Sequence, residues 1–276
     1  MRRYLVGAGC LAAAGTGLRR FAEGSERRPP SKTSRTDTVD DALQAVEARG
    51  FAVLQGYVAP ELLEACRQTS AYQGMPSASG ARATDEWRLT AVGRFHRHRF
   101  APADEAIFTE IEAVVQPLVS GFFCGTDAIY RSELQLLNAA PSSGTQVWHS
   151  DNQRRGLTLV VPLEDFTLEN GATQLLPGSH TQPCTSLLSG DGAAEVATAE
   201  TASSSDGQRG AVIAYDARIY HRGQGNQTAR SRPALVLRYD LVDAPPPPGV
   251  GLFGALLHAT VATTLHAVAE VGAALR

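Results

Sequence analysis

From Ile129 onward the chain is written in short apolar runs divided by turn residues, and this texture restricts its possible folds most. Leu134–Leu137, Gln146–Asp151, Leu157–Leu163, Gly171–Leu176, Ala211–Tyr215 and Ala234–Tyr239 each have the length and composition of a β-strand. Parallel strands would need crossover connections of a dozen or more residues, normally helical, between successive runs. Their absence over most of this region predicts a β-sandwich or jelly roll instead of a parallel α/β sheet. The run Leu157-Thr158-Leu159-Val160-Val161-Pro162-Leu163 does not alternate, which predicts a strand covered on both faces.

Helices are expected ahead of this region. A cap near Thr38-Val39-Asp40 opens Ala42–Arg49, and Gly50 ends it. Phe51–Leu54 reads as a short strand, and Pro60–Cys66 as a helix with proline early and acid in its first turn. Ile107, Ile111, Val114, Val115 and Leu118 give Asp104–Phe123 one apolar helical face. Residues 73–86 and 184–209 are Gly-, Ser- and Ala-rich and read as loops. The chain therefore divides into an N-terminal segment (1–36), a folded domain (37–243) and a proline spacer with an apolar C-terminal tail (244–276).

The outer segments carry their own expectations. Residues 1–36 combine arginine pairs with the small apolar run Leu5–Gly17, as in a transit peptide or short signal; a disordered arm is the competing reading. An intracellular location is expected, in an organelle if the segment is a transit peptide and in the cytoplasm otherwise. Gly251–Leu275 reads as a helix packed on the domain or on a second copy, in preference to membrane contact. A net charge of −3, with scattered arginines and one lysine, Lys32, gives no basic face for nucleic acid. Cys10, Cys66, Cys124 and Cys184 are far apart and form no CxxC pair, so reduced thiols are expected.

The chemistry concentrates at Trp148-His149-Ser150-Asp151. On a strand, residues two apart share a face, so His149 and Asp151 can hold one ion. His221, in Ile-Tyr-His-Arg-Gly, is available as the second imidazole of a 2-His-1-carboxylate triad, a set that suits Fe(II) and leaves coordination positions open. His96 and His98 also alternate, but no third partner accompanies them.

Four elements follow one another in order: Trp148–Asp151; Glu169-Asn170-Gly171-Ala172 with Leu176-Pro177-Gly178-Ser179-His180; the glycine-opened strand Gly210–Asp216 leading to His221-Arg222-Gly223; and Ser231-Arg232-Pro233. With these the sequence, over roughly residues 40–243, resembles the phytanoyl-CoA dioxygenase family of Fe(II)/2-oxoglutarate oxygenases. The resemblance implies a mainly β fold with flanking helices, a double-stranded β-helix (jelly roll, cupin-like). It implies iron ligation by His149, Asp151 and His221, and a salt bridge from Arg232 to the distal carboxylate of 2-oxoglutarate. Gln135 or Asn138 is expected to bond cofactor or substrate, Trp148 to pack in the core, and His180 to sit in a structural turn.

One departure stands out. Some family members carry a hydroxyl residue two positions after the distal histidine, and this chain has Gly223, for which Thr158 or Tyr130 could substitute. The implied activity is oxygenation of a small-molecule or lipid-like substrate, using 2-oxoglutarate and O2 and releasing succinate and CO2. Asp151 argues for hydroxylation or a related oxidation, because related halogenases have a small residue there. The alternative is a non-catalytic jelly-roll binding or scaffold protein associated with membranes. Arginines such as Arg82, Arg88 and Arg97 could meet phosphates if the substrate carries them.

Overall fold

A computed structural model of the chain describes residues 35–36, 38–124, 129–181, 200–202 and 208–242. The arginine-rich segment before residue 35, most of the 184–209 stretch and the proline-rich C-terminal tail with its expected helix lie outside the described residues. Among those described, no helix is long and apolar enough to cross a membrane.

Thr38 opens α1 (Val39–Arg49) by accepting the Asp41 N–H on its side chain, and Gly50 closes it at φ 90°. That left-handed turn is open to glycine at little steric cost. It sends the chain directly into β2 (Phe51–Leu54), which lies beside β1 (Arg35–Thr36). Two short helices follow, α2 (Pro60–Arg67) and α3 (Ser70–Gln73), then the hairpin β3 (Arg88–Ala91) and β4 (Arg94–Arg97). The long α4 (Pro102–Phe122) buries Phe108, Ile111, Val115, Leu118, Val119 and Phe122, the three-and-four spacing of one helical face.

Seven strands remain: β5 (Ile129–Ala139), β6 (Gly156–Pro162), β7 (Thr173–Leu175), β8 (Glu200–Ala202), β9 (Val212–Asp216), β10 (His221–Gly223) and β11 (Arg232–Leu241). They complete an eight-stranded sheet in the order β1-β2-β9-β6-β11-β5-β4-β3 and a three-stranded sheet β10-β7-β8. Apart from the β1–β2 pair every pairing is antiparallel. The jelly-roll architecture expected from the short apolar runs is the one formed.

The large sheet is buried on both faces. Its outer face packs with α1, α2 and α4 in a cluster containing Phe108, Leu136, Leu159 and Leu237. Its inner face, with Phe51, Val160, Phe166, Ile213 and Val236, forms a second cluster within the jelly roll. This double covering explains why β6, buried at every position, reads as a continuous apolar run.

Three sequence expectations change. Gln146–Asp151 is not a ladder strand; it is extended chain attached by one bridge, His149 to His221. β5 is eleven residues long and not four, because its N-terminal half is carried by pairing to β11 across a register shift. The 184–209 stretch contributes β8, which adds an edge strand to β7.

Asp104, buried in the first turn of α4, accepts the Ser70 N–H at 3.1 Å, the Ser70 hydroxyl at 2.7 Å and the Ala71 N–H at 2.9 Å. It thereby holds the start of α3 and the segment beyond it. Burial pushes its carboxyl up, but these hydrogen bonds and the charge of Arg97 outweigh burial and hold it below the ordinary value. A depressed acid stabilises the fold above the unfolded carboxylate pKa, about 3.9, and that contribution is lost as pH falls through the folded value. Asp104→Ala is expected to lower stability by about 1–3 kcal/mol near neutral pH. In urea denaturation that difference should shrink as pH drops below the carboxylate range; a pH-independent difference would contradict this account.

Candidate metal centre

His149 and His221 face each other across a single antiparallel bridge. The His149 N–H donates to the His221 carbonyl at 3.1 Å, and the His221 N–H returns a bond to the His149 carbonyl at 2.8 Å. The two rings stand 4.4 Å apart, centroid to centroid. Each Nδ1 lies against the carbonyl two residues earlier: Val147 at 2.9 Å for His149, Ile219 at 3.1 Å for His221. A carbonyl only accepts, so Nδ1 carries the proton in both rings and Nε2 keeps its lone pair for a ligand. Burial pulls the His221 pKa down to about 4, which keeps that ring neutral at physiological pH.

Asp151 completes the set. One potential ligand atom from each of His149, Asp151 and His221 lies within 4.8 Å of the others, and Asp151 Oδ1 is 3.6 Å from His221 Nε2. Its other oxygen is occupied: the Thr158 hydroxyl donates to Oδ2 at 2.7 Å and the Tyr215 hydroxyl at 3.2 Å. Burial pushes the Asp151 carboxyl up, but its electrostatic interactions with His221, Arg238 and His149 and the Thr158 hydrogen bond hold it below the usual range. A carboxylate with one oxygen turned to the centre beside two imidazoles that present Nε2 is a donor set for a divalent transition metal.

The turn that follows is fixed as firmly as the ligands. Asn152 donates its backbone N–H to Ala217 at 2.9 Å and its side-chain amide to Asp240 at 2.9 Å. Asp240 in turn accepts the Arg238 Nε at 2.9 Å, and Arg238 also lies 3.3 Å from Glu133. Glu133 faces the same cavity as the ligands, and burial, opposed by Arg238 and assisted by Asp151 and Asp240, pushes its carboxyl up to about 7.

The opposite end of that cavity is basic. Arg232, at the start of β11, is 2% exposed, and its guanidinium lies 4.4 Å from the Phe166 ring centroid. Its Nε is buried without a hydrogen-bond partner. Arg94, on β4, is fully buried and lines the same cavity. Among the described residues neither guanidinium has an acidic partner, and burial lowers the pKa of Arg232 to about 9 and of Arg94 to about 10. Two desolvated cations with nothing to neutralise them form a receptor for an anion.

The structure brings together His149, Asp151, His221, Arg232 and Gln135 around one cavity. Gln135 Oε1 contacts His96 Nδ1, and burial holds His96 near 4, hence neutral. His96 lines the cavity but stands outside the ligand cluster. Asn138 is different: its side chain bonds the Pro76 carbonyl at 2.7 Å and Ser231 at 3.2 Å, anchoring the 73–86 segment. Trp148 is half-buried rather than part of the core, with the Arg222 guanidinium 4.5 Å from its ring centroid. His180 serves the turn as expected, its Nε2 3.1 Å from the Glu47 carbonyl. Arg97 is committed to Glu86 at 2.8 Å and is not free for a phosphate.

Thr158 and Tyr130 do not replace the hydroxyl missing at Gly223. Thr158 is committed to Asp151, and Tyr130 sits outside the cavity lining. Thr158, Tyr215, Asn152 and Arg94 carry site roles that the sequence reading did not assign. Thr158 and Tyr215 share a register pair between β6 and β9, a signal visible only once the strands are paired.

Comparisons with known proteins agree with this geometry. The phytanoyl-CoA dioxygenase (PhyH) family model matches residues 46–234. Among solved structures, AviO1 from Streptomyces viridochromogenes Tue57 superposes with a TM-score of 0.58 at 21% identity, covering 77% of this chain and 99% of its own. The non-haem alpha-ketoglutarate-dependent carbocyclase SnoK from nogalamycin biosynthesis gives 0.59 at 15% identity, covering 76% and 87%. The epimerase SnoN, in complex with Fe3+, alpha-ketoglutarate and nogalamycin RO, gives 0.54 at 16% identity, covering 76% and 86%. At these identities the structural neighbours establish the shared fold.

Removing the hydroxyl that orients Asp151 tests the site directly. Thr158→Val keeps the shape of a buried β6 side chain and deletes one hydrogen bond. It should weaken Mn(II) affinity about 10- to 100-fold, the range for groups that orient a metal ligand. Calorimetric titration measures this, with urea denaturation as a fold control. Unchanged affinity would show that Thr158 does not position the carboxylate.

Proposed function

The chain belongs to the phytanoyl-CoA dioxygenase family, and we propose that it is a hydroxylase of that family acting on a small-molecule substrate at the His149–Asp151–His221 centre. At the coarser level it is a 2-oxoglutarate-dependent non-haem iron oxygenase. The observation that carries the reading is the pairing, around one cavity, of a 2-His-1-carboxylate cluster with a buried arginine that lacks an acidic partner.

The residues fit both absent groups. Two imidazoles whose Nδ1 atoms are tied to carbonyls, leaving Nε2 toward the centre, together with one carboxylate oxygen suit Fe(II) and leave positions for co-substrate and oxygen. The orphaned Arg232 Nε and its fork of donors suit a carboxylate. When bound, Fe(II) and 2-oxoglutarate would activate O2, which is the oxidant: 2-oxoglutarate would be oxidised to succinate and CO2 and take up one oxygen atom, and the other would go to the substrate.

The protein's own contributions follow from its contacts. Thr158 and Tyr215 hold Asp151 in one rotamer, so a single oxygen faces the centre. The Val147 and Ile219 carbonyls fix both ring tautomers. Val160, Val236 and Ala234 give the cavity an apolar wall that restricts water and strengthens electrostatic contacts. Gln135 and Glu133, on the same face of β5, offer polar contacts to a substrate. Asp151 supports hydroxylation over halogenation, since the carboxylate occupies a metal position that a halide would need. Neighbours named as a carbocyclase and an epimerase support a small-molecule substrate for this chain also.

Protein reconstituted anaerobically with Fe(II) tests the proposal. Added 2-oxoglutarate should produce a visible charge-transfer band, and exposure to air should release succinate, faster once a true substrate is supplied. His221→Ala should abolish both signals. Arg232→Ala should keep Fe(II) binding but raise the Kd for 2-oxoglutarate by at least about tenfold, as expected for a lost charge-assisted contact. Wild-type protein that gives neither band nor succinate would refute the enzymatic reading in favour of a binding role.

A further inference from the structure

Gly223 stands where some family members carry a hydroxyl, two residues beyond the distal histidine, and the structure shows what occupies the vacated space. A Cβ built on Gly223 would lie 2.6 Å from Arg94 Nη1 and 3.0 Å from Arg94 Cζ. Real Cβ contacts are not that short, so no side chain fits at 223 while Arg94 holds this position.

Arg94 is held firmly. Its Nε donates to the Gly144 carbonyl at 3.0 Å and its Nη2 donates to the Gln224 carbonyl. Nη1 makes no hydrogen bond among the described residues, and it is this nitrogen that lies against Gly223. The strand register places its neighbour. Arg94 on β4 and Arg232 on β11 both pair with Ala139, from opposite sides of β5. Residues directly opposite across antiparallel pairs share a face, so both arginines rise from the inner face of three adjacent strands into one cavity. Both are buried and lack an acidic partner among the described residues.

We propose that Arg94 is a co-substrate-binding residue, and that its Nη1 replaces the hydroxyl missing at 223 and joins Arg232 in holding the distal carboxylate of 2-oxoglutarate. Arg94 and Gly223 then form an exchange pair: a side chain at 223 and an arginine at 94 exclude each other, and either can supply the second donor. A guanidinium contributes a full charge where a hydroxyl contributes one neutral donor. This proposal rests on the function proposed above.

Calorimetric titration of 2-oxoglutarate into the full-length Mn(II)-loaded protein tests it without turnover. Mn(II) affinity and thermal unfolding serve as controls. Arg94→Ala is expected to weaken 2-oxoglutarate binding about 10- to 100-fold while leaving Mn(II) affinity in place. Gly223→Ser alone should also weaken binding, because the new side chain displaces Nη1. In the Arg94→Ala background the guanidinium clash is gone and only the end of the Gln146 side chain, whose Oε1 would lie 2.8 Å from the new Cβ, has to move aside, so R94A/G223S should bind more tightly than R94A. Wild-type-like affinity in R94A, or in G223S should R94A fail to fold, overturns the role of Arg94. Failure of the serine to rescue R94A overturns the exchange. If wild-type protein itself binds no 2-oxoglutarate, the functional reading fails, a result distinct from loss of binding in the variants alone.

Discussion

Two reciprocal backbone hydrogen bonds between His149 and His221 hold the site together. The ligands arrive on segments 72 residues apart at His149 and His221, one irregular, the other a three-residue strand. Neither segment alone has the length to fix a side chain. The bridge makes each the template of the other, and the Nδ1 contacts to Val147 and Ile219 then aim both rings inward. The two buried clusters on either side of the large sheet keep that sheet rigid enough to present Thr158 and Tyr215 to the third ligand.

Charge inside the jelly roll is separated. At one end Arg238 gathers Glu133 and Asp240, and through Asn152 that network reaches the turn next to Asp151. At the other end Arg94 and Arg232 stand without acids. A cavity acidic at one end and basic at the other imposes a direction on what enters it. A dianion such as 2-oxoglutarate would lie with one carboxylate toward the arginines and the rest toward the metal. Glu133 and Gln135 would remain for a second molecule. The internal network satisfies its own charges; the arginine pair is left for a ligand to complete.

Much of this was legible in the sequence, and the failures have physical causes. Period-two spacing anticipated that His149 and Asp151 meet at one centre, although Asp151 reaches it from a bend after the bridge and not from a strand. The uninterrupted apolar run of β6 correctly announced a strand covered on both faces. The helix α1 could be read at both ends, from Thr38 and Gly50. What local pattern could not show was register. Arg94 becomes a neighbour of Arg232 only because both strands pair with Ala139. Trp148 looked like core by composition, yet the bridge at His149 turns it outward to Arg222. Asn138 and Gln135 sit three apart on β5, and strand parity sends one to a structural anchor and the other to the cavity.

The stacking of Arg222 on Trp148 has an optical consequence. The chain has two tryptophans, and Trp87 is buried in the outer core at 2% exposure while Trp148 borders a metal ligand. Intrinsic fluorescence therefore separates into one emitter sensitive to unfolding and another sensitive to changes at the His149–His221 bridge. The molecule carries a built-in reporter for both.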